Sequence, residues 1–266
     1  MEKEKELEQS NFFNSNTLHS NSLDKYKDFV CQKSSSVPYN PDQYEEEQFK
    51  EFLIKMMCTE SQIEATKIDL AMKCDFNCED AFRIFELNGR GYINEEDLRY
   101  GLCSLGVMTS SDDLKLLMKR FDLKHSGIIN YQDFFDMLVP FEKDYRLLVE
   151  QRPPNSCCPC RCPEILTFAT RESLKNVFNL IIDSENKLNM MRKGYTTLRL
   201  KLHNIFRLID ECGAGHFTNE EFSNFLKKNF MYSSVKDADL LFIRLDRNRN
   251  GKIEEYEIKD ELEAVY

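Results

Sequence analysis

No stretch of this 266-residue chain approaches the roughly 18 uninterrupted apolar residues that cross a bilayer, so no transmembrane segment is expected. Basic charge is scarce as well. Lys and Arg number 36 against 46 Asp and Glu, giving a formal charge of −10 and a pI near 5.1. A nucleic-acid binder needs a basic footprint to displace phosphate counterions, which excludes that class. The four His (His19, His125, His203 and His216) are scattered, and no nucleophile elbow, phosphate-cradling Gly loop or zinc-protease helix is present. That leaves no case for an enzyme. The start, "MEKEKELEQS", has no apolar leader, and beside ten Cys this argues for a reducing, cytoplasmic setting rather than a disulfide scaffold. What the chain does have is core material. At 41% hydrophobic residues with 20 Phe it can fill two domains of ordinary size.

Residues 1–42 are rich in Ser and Asn and carry little apolar periodicity, so a disordered arm is expected there. Its aromatics, Phe12, Phe13, Tyr26 and Phe29, remain available to dock on a partner. From about residue 43 the spacing turns helical: in "EEEQFKEFLIKMMCTESQIEATKIDLAMK", Phe49, Leu53, Met56 and Met57 fall on neighbouring turns. An all-α fold follows, with extended pieces only inside loops. An offset of 124 residues sets "DDLKLLMKRFDLKHSGII" from Asp112 on "KDADLLFIRLDRNRNGKI" from Lys236, and "FRIFELNGRGYINEEDL" from Phe82 on "FRLIDECGAGHFTNEEF" from Phe206. The upstream helix repeats more weakly. Two modules are therefore expected at 43–140 and 167–266, each preceded by a long helix and joined by a linker over 141–166. In that linker Pro140 can open a helix at its first position, Pro153 and Pro154 must end it, and a Cys/Pro-rich loop follows.

Each module contains two twelve-residue stretches built around a Gly. In the last, "DRNRNGKIEEYE", oxygen donors stand at every position a hard cation with six to eight oxygen ligands requires: Asp246, Asn248, Asn250, the backbone carbonyl of Lys252, and Glu257 as a bidentate carboxylate. Gly251 supplies the sharp turn and Glu254 stands at the water-mediated ninth position. Ile253 holds the eighth, apolar position. The pattern resembles the EF-hand superfamily, in the calmodulin-like form of four loops in two pairs, over most of residues 76–139 and 198–264. That resemblance implies helix–loop–helix units joined through antiparallel bridges at the eighth positions. It also implies Ca2+ in the fourth loop, with Mg2+ as the alternative occupant.

The other loops keep the Gly and the apolar residue but lose donors. The first has Glu86, Asn88, Arg90, Gly91, Ile93 and Asp97 at the key positions; the second has Asp122, Lys124, Ser126, Gly127, Ile129 and Asp133. A side-chain cation about 5 Å from a divalent ion costs on the order of several kcal/mol at an effective dielectric near 20, whereas micromolar binding is worth only about 8 kcal/mol. Both loops are expected to be metal-free. The third has Asp210, Cys212, Ala214, Gly215, Phe217 and Glu221, which leaves a weak second site on Asp210 and Glu221. Loop starts lie 36 residues apart in both halves, from Glu86 to Asp122 and from Asp210 to Asp246, the spacing that lets two units pack face to face.

"CCPCRC" puts Cys157, Cys158, Cys160 and Cys162 within six residues. Four thiolates suit a tetrahedral zinc, but the usual gaps between ligands are missing, so zinc, S-acylation and a plain thiol-rich loop all stay open. From Phe141 to His203, 11 Lys and Arg stand against 7 Asp and Glu; this segment could face an acidic surface or be an ordinary mixed-charge helix face. The phrase "LVPFEKDYRLLVEQRPP" resembles segments in EF-hand proteins of ciliated protists, including proteins associated with the doublet microtubules of cilia. The resemblance implies a structural component of an axoneme or other microtubule assembly, in a cilium or the cytoskeleton, with tubulin or other axonemal proteins as partners.

Mostly silent loops favour such a structural role. The last helix, "YEIKDELEAVY", offers Ile258, Leu262 and Val265 without Met, unlike the Met-rich groove with which sensors grasp a target helix. A groove closed by the module's own upstream helix is expected. The alternative is a calmodulin-like sensor acting through the second module. A buffer is disfavoured, because one competent site in 266 residues holds little calcium.

Overall fold

The computed structural model describes residues 41–86, 88–154, 165–195, 201–230 and 234–266. The proposed arm therefore falls almost wholly outside the described residues, as do Cys157, Cys158, Cys160 and Cys162. Helix α1 spans Pro41–Ala71. Four short helices follow: α2 (Cys78–Phe85), α3 (Glu95–Ser104), α4 (Ser111–Phe121) and α5 (Tyr131–Leu138). A connecting helix α6 (Lys143–Glu150) leads to the second long helix, α7 (Phe168–Gly194). Then come α8 (Leu202–Phe206), α9 (Asn219–Asn229), α10 (Val235–Leu245) and α11 (Glu255–Leu262).

Local chemistry sets these boundaries. Helices α4 and α10 open on the same device, Ser110 with Asp113 and Ser234 with Asp237, in which each side chain takes the other residue's backbone N–H. Helix α6 begins later than Pro140 suggests. The Glu64 carboxylate of α1 accepts the N–H groups of Phe141 (3.0 Å) and Glu142 (3.1 Å), which holds the chain in a turn until Lys143.

Two-stranded antiparallel sheets join the loops in pairs. Strand β1 (Tyr92–Ile93) meets β2 (Ile129–Asn130) with Ile93 opposite Ile129; β3 (His216–Thr218) meets β4 (Lys252–Glu254) with Phe217 opposite Ile253. All four of these residues are fully buried. The eighth positions are thus hydrophobic pegs as well as pairing points.

The core divides in two, and the division cuts across the boundaries 43–140 and 167–266. One cluster joins α2–α5 to Ile63, Leu70 and Ala71 near the end of α1 and to Leu174, Val177, Phe178, Ile181 and Ile182 near the start of α7. The other joins α8–α11 to Phe49, Phe52, Leu53, Met56 and Met57 near the start of α1 and to Leu188 near the end of α7. The long helices therefore lie antiparallel, each shared by both clusters. The apolar face of the second half is covered mainly by α1, the helix upstream of the first half, rather than by its own upstream helix α7. Each fully buried Phe or Leu contributes about 1.5–3 kcal/mol, so this exchange is a major part of the fold.

Between the clusters sits a set of three buried Glu and three Arg, of which Arg192 is buried and Arg120 and Arg244 keep side chains only 11% and 7% exposed. Arg244 of α10 reaches Glu60 of α1 (2.5 Å), Glu185 of α7 (2.8 Å) and Glu261 of α11 (2.8 Å). Arg120 of α4 binds Glu60 (2.8 Å) and Glu185 (2.6 Å), while Arg192 of α7, only 1% exposed, binds Glu185 (3.1 Å) and Glu261. The charges cancel, and burial of each is compensated by its neighbours. Arg120 and Arg244 are equivalent residues of the 124-residue repeat. The sequence reading missed this network, because nothing in a helical pattern distinguishes a buried Arg from an exposed one.

Candidate metal centre

The fourth loop connects α10 to α11 and is shaped by its own donors. The Asp246 carboxylate accepts the N–H groups of Asn250 (3.1 Å) and Gly251 (2.8 Å). Asn248 Oδ1 accepts from Asn250 N–H (2.9 Å), and Asn250 Oδ1 from Lys252 N–H (2.8 Å). Glu257 closes the ring from the far side, taking Asn248 N–H (3.2 Å) on one oxygen and Glu254 N–H (2.9 Å) on the other. The structure thus brings the four predicted side-chain donors into one loop.

Electrostatics gives the fit test for a cation. Glu257 is fully buried and Asp246 only 7% exposed. Burial pushes the Glu257 carboxyl above its ordinary range and the nearby Asp246 carboxylate adds to that, while the N–H bonds from Glu254 and Asn248 oppose it. Two carboxylates desolvated together call for a positive charge. The loop's own Arg residues do not supply it: Arg247 pairs with Asp260 and Arg249 with Asp136. Two carboxylates, two amide oxygens and a backbone carbonyl form a hard-oxygen set that suits Ca2+ or Mg2+. No group of three or more His, Cys, Asp or Glu suited to a metal exists among the described residues; the fourth loop offers two carboxylates, with Asn248 and Asn250 as its amide donors.

The first loop answers the same need internally. Its Arg90 guanidinium donates to Asp97 Oδ2 at 2.6 Å and lies 4.8 Å from the Tyr92 ring centre, while Asp97 itself is 4% exposed. A fixed side-chain cation thus serves the carboxylate at position twelve. In the second loop, Asp122 takes Ser126 N–H (3.0 Å) and Gly127 N–H (2.6 Å). Burial raises the Asp133 carboxyl there, with Arg249 of the fourth loop and Lys124 pulling it down.

In the third loop Asp210 takes the N–H groups of Ala214 (2.9 Å) and Gly215 (2.8 Å), and the Cys212 thiol lies 3.4 Å from Asp210 and 3.8 Å from Glu221. Burial works to raise the Asp210 carboxyl, but these N–H bonds outweigh it and hold it below its ordinary range. Glu221 is lowered chiefly by bonds from Thr218. Asp210 and Glu221 already have protein donors, and no side-chain oxygen stands at positions three or five.

All four loops share one backbone. The sixth-position residues Gly91, Gly127, Gly215 and Gly251 have φ of +78° or +79°, the left-handed region where Gly carries no side-chain penalty. Position four is left-handed too, and there Gly89 and Gly213 alternate with His125 (φ 51°) and Arg249 (φ 59°).

Residues 75–139 match the family model of the EF-hand domain pair. A 60-residue stretch is 43% identical to the myosin regulatory light chain of Physarum polycephalum, covering 23% of this chain and 41% of that protein. Another similarity, 37% over 65 residues, is to calcium-dependent protein kinase 7 of Arabidopsis thaliana, covering 24% of this chain and 12% of the kinase. Human calcium-binding protein 8 is 33% identical over 61 residues, 23% of each chain. The matches thus span well under two thirds of these relatives. Among solved structures, a chain of a Chaetomium theromophilum TREX2 CID domain complex aligns at 22% identity over 68% of this chain and 84% of that one, but its TM-score of 0.22 is too low to bear on the fold. The first half therefore contains an EF-hand domain pair. No helix among the described residues is long and apolar enough to cross a membrane.

Proposed function

We propose that this is a calcium-binding protein with two EF-hand pairs, in which the fourth loop holds one Ca2+ through Asp246, Asn248, Asn250, the Lys252 carbonyl and Glu257, and in which the ion serves assembly and rigidity. One observation carries the structural part of this reading: the apolar faces that a sensor would open to a target helix are filled by the chain's own α1 and α7. Opening them would expose Phe49, Phe52, Leu53, Met56 and Met57 together. At about 1.5–3 kcal/mol per side chain, exposing these five costs roughly as much as the about 8 kcal/mol of a micromolar ion, or more. The relatives named for calcium support the choice of ion, with Mg2+ as the competitor to exclude.

Within this reading the protein is a component that binds other proteins rather than an enzyme. A ciliary or other microtubule setting, with tubulin or axonemal proteins as partners, rests on the likeness of residues 138–154 alone; expression of a tagged chain in ciliated cells tests it. The structural role is tested by titrating Ca2+ while following an apolar-surface dye, with Glu257→Gln as the control. We expect calorimetric binding of one ion, lost in the variant, and little change in dye signal. A large dye increase on calcium would refute the structural role and favour the calmodulin-like sensor.

A further inference from the structure

The two halves meet at their even-numbered loops, and they meet reciprocally. Arg249, fourth residue of the fourth loop, binds Asp136 of α5 at 2.7 Å; His125, fourth residue of the second loop, lies 3.8 Å from Asp260 of α11. The 124-residue offset carries His125 onto Arg249 and Asp136 onto Asp260, so these are equivalent contacts about an internal two-fold axis. Two further contacts repeat nearly the same symmetry: Ser61 of α1 with Asp237 of α10, and Asn186 of α7 with Asp113 of α4.

The reciprocity is not complete, and at the fourth loop it breaks in favour of the metal loop. Arg247, second residue of the fourth loop, keeps its side chain only 8% exposed, donates to the carbonyl oxygen of Lys119 at 2.9 Å and pairs with Asp260 at 2.8 Å. Its equivalent in the second loop is Leu123, which cannot make such bonds. Lys119 in turn donates to the Asp260 carbonyl at 2.6 Å, and Lys115 to the Tyr266 carbonyl at 3.1 Å. Arg249 holds a left-handed conformation that favours Gly, the residue found at this position in the first and third loops, so its side chain is kept against a backbone cost. Both Arg residues lie between ligand positions. A cavity of about 490 Å3 at this point is lined by Asp246, Arg249 and Gly251 of the second half and by Asp133 and Asp136 of the first.

We propose that the fourth loop is a fastener between the two halves: an ion held by Asp246 and Glu257 fixes the backbone between them, and Arg247 and Arg249 pass that rigidity to α4 and α5 of the half that binds no metal. This rests on the calcium reading above. A hydrogen-exchange experiment on the full chain, with and without saturating Ca2+ and with calorimetry in parallel, tests it.

In the wild type, Ca2+ should slow exchange about fivefold or more in peptides from Ser111–Leu138, the lower range of site-to-site coupling. The variant Arg247→Gln/Arg249→Gly puts at position 249 the residue that the first and third loops carry there, and it should still bind Ca2+ by calorimetry. In it the slowing should be confined to the second half. Calcium heat in the wild type without slowing in Ser111–Leu138, or equal slowing in the variant, overturns the fastener alone. Absence of calcium heat in the wild type overturns the calcium reading and the fastener together.

Discussion

Replacing Arg244 with Met removes one of three cations from a compartment that is otherwise neutral. Arg244 makes three carboxylate contacts, to Glu60 at 2.5 Å and to Glu185 and Glu261 at 2.8 Å, and its side chain is only 7% exposed. After substitution three carboxylates share two guanidinium groups, Arg120 and Arg192. Leaving a buried charge uncompensated in this way costs about 3–5 kcal/mol, whereas neutral replacement of a whole pair by apolar residues is often tolerated. The expected loss is therefore about 3–5 kcal/mol for Arg244→Met. A chain of this size then melts roughly 6–20 °C lower by circular dichroism at neutral pH. Adding Glu60→Gln should recover part of the loss, because the charge count balances again, and that recovery measures the coupling. The reasoning is refuted if Arg244→Met costs under about 1 kcal/mol, the range of an exposed pair, or if Glu60→Gln deepens the loss.

Acid should weaken the same compartment. Burial works to raise its carboxyls, but the guanidinium groups prevail and hold Glu261 at about 2, Glu185 well below its ordinary range and Glu60 below its own. Folded values below the unfolded value mean that this stabilisation is present above about pH 4.5 and lost as pH falls toward 2, so the melting temperature should drop across that window. In the first loop, Arg90→Asp exchanges the internal cation for a donor beside Glu86, Asn88 and Asp97, and native mass spectrometry should then count one Ca2+ more than in the wild type; an unchanged count would show that Arg90 is not what excludes the ion. Gly101→Ala would place its Cβ 2.1 Å from the ring of Phe85, itself fully buried, so urea denaturation should report a loss of about 1–3 kcal/mol from overpacking.

What was legible in the sequence follows from the range of each interaction. The turn at each loop Gly and the pairing of Ile93 with Ile129 are set by residues a few positions apart or by a fixed loop spacing, and a linear pattern carries them. The donor ring of the fourth loop is local in the same sense. The exchange of α1 and α7 is not. Phe49 and Phe52 show helical spacing whichever core they enter, and only the three-dimensional path of the chain assigns them to the second half. The Glu60–Arg244 contact, like Arg247 on the Lys119 carbonyl, spans more than a hundred residues and has no periodic signature. The one sequence signal was the alignment of Arg120 with Arg244 in the repeat, since residues that lie near an internal two-fold axis meet their equivalents across it.

The pattern of ligand loss among the loops has a folding explanation. An acid stands at position one in every loop, as Glu86, Asp122, Asp210 and Asp246, and in the last three it accepts two N–H groups from the turn. An acid also stands at position twelve, as Asp97, Asp133, Glu221 and Glu257, and each is the third residue of its helix. Three of these reach back to the N–H that precedes it: Asp97 to Asn94, Glu221 to Thr218 and Glu257 to Glu254. Positions one and twelve thus have work to do without an ion. Positions three and five make no such fixed demand: Asn248 and Asn250 accept turn N–H groups there, yet Lys124, Arg90, Cys212 and Ala214 occupy the same positions without altering the shared backbone, because Gly and the buried eighth residue already fix the turn. Loss of metal binding through those two positions leaves the fold standing, and it removes the ion without removing the loop. An acid retained at positions one and twelve is therefore weak support for metal binding in such chains. Oxygen donors at three and five, here Asn248 and Asn250, are the discriminating pair.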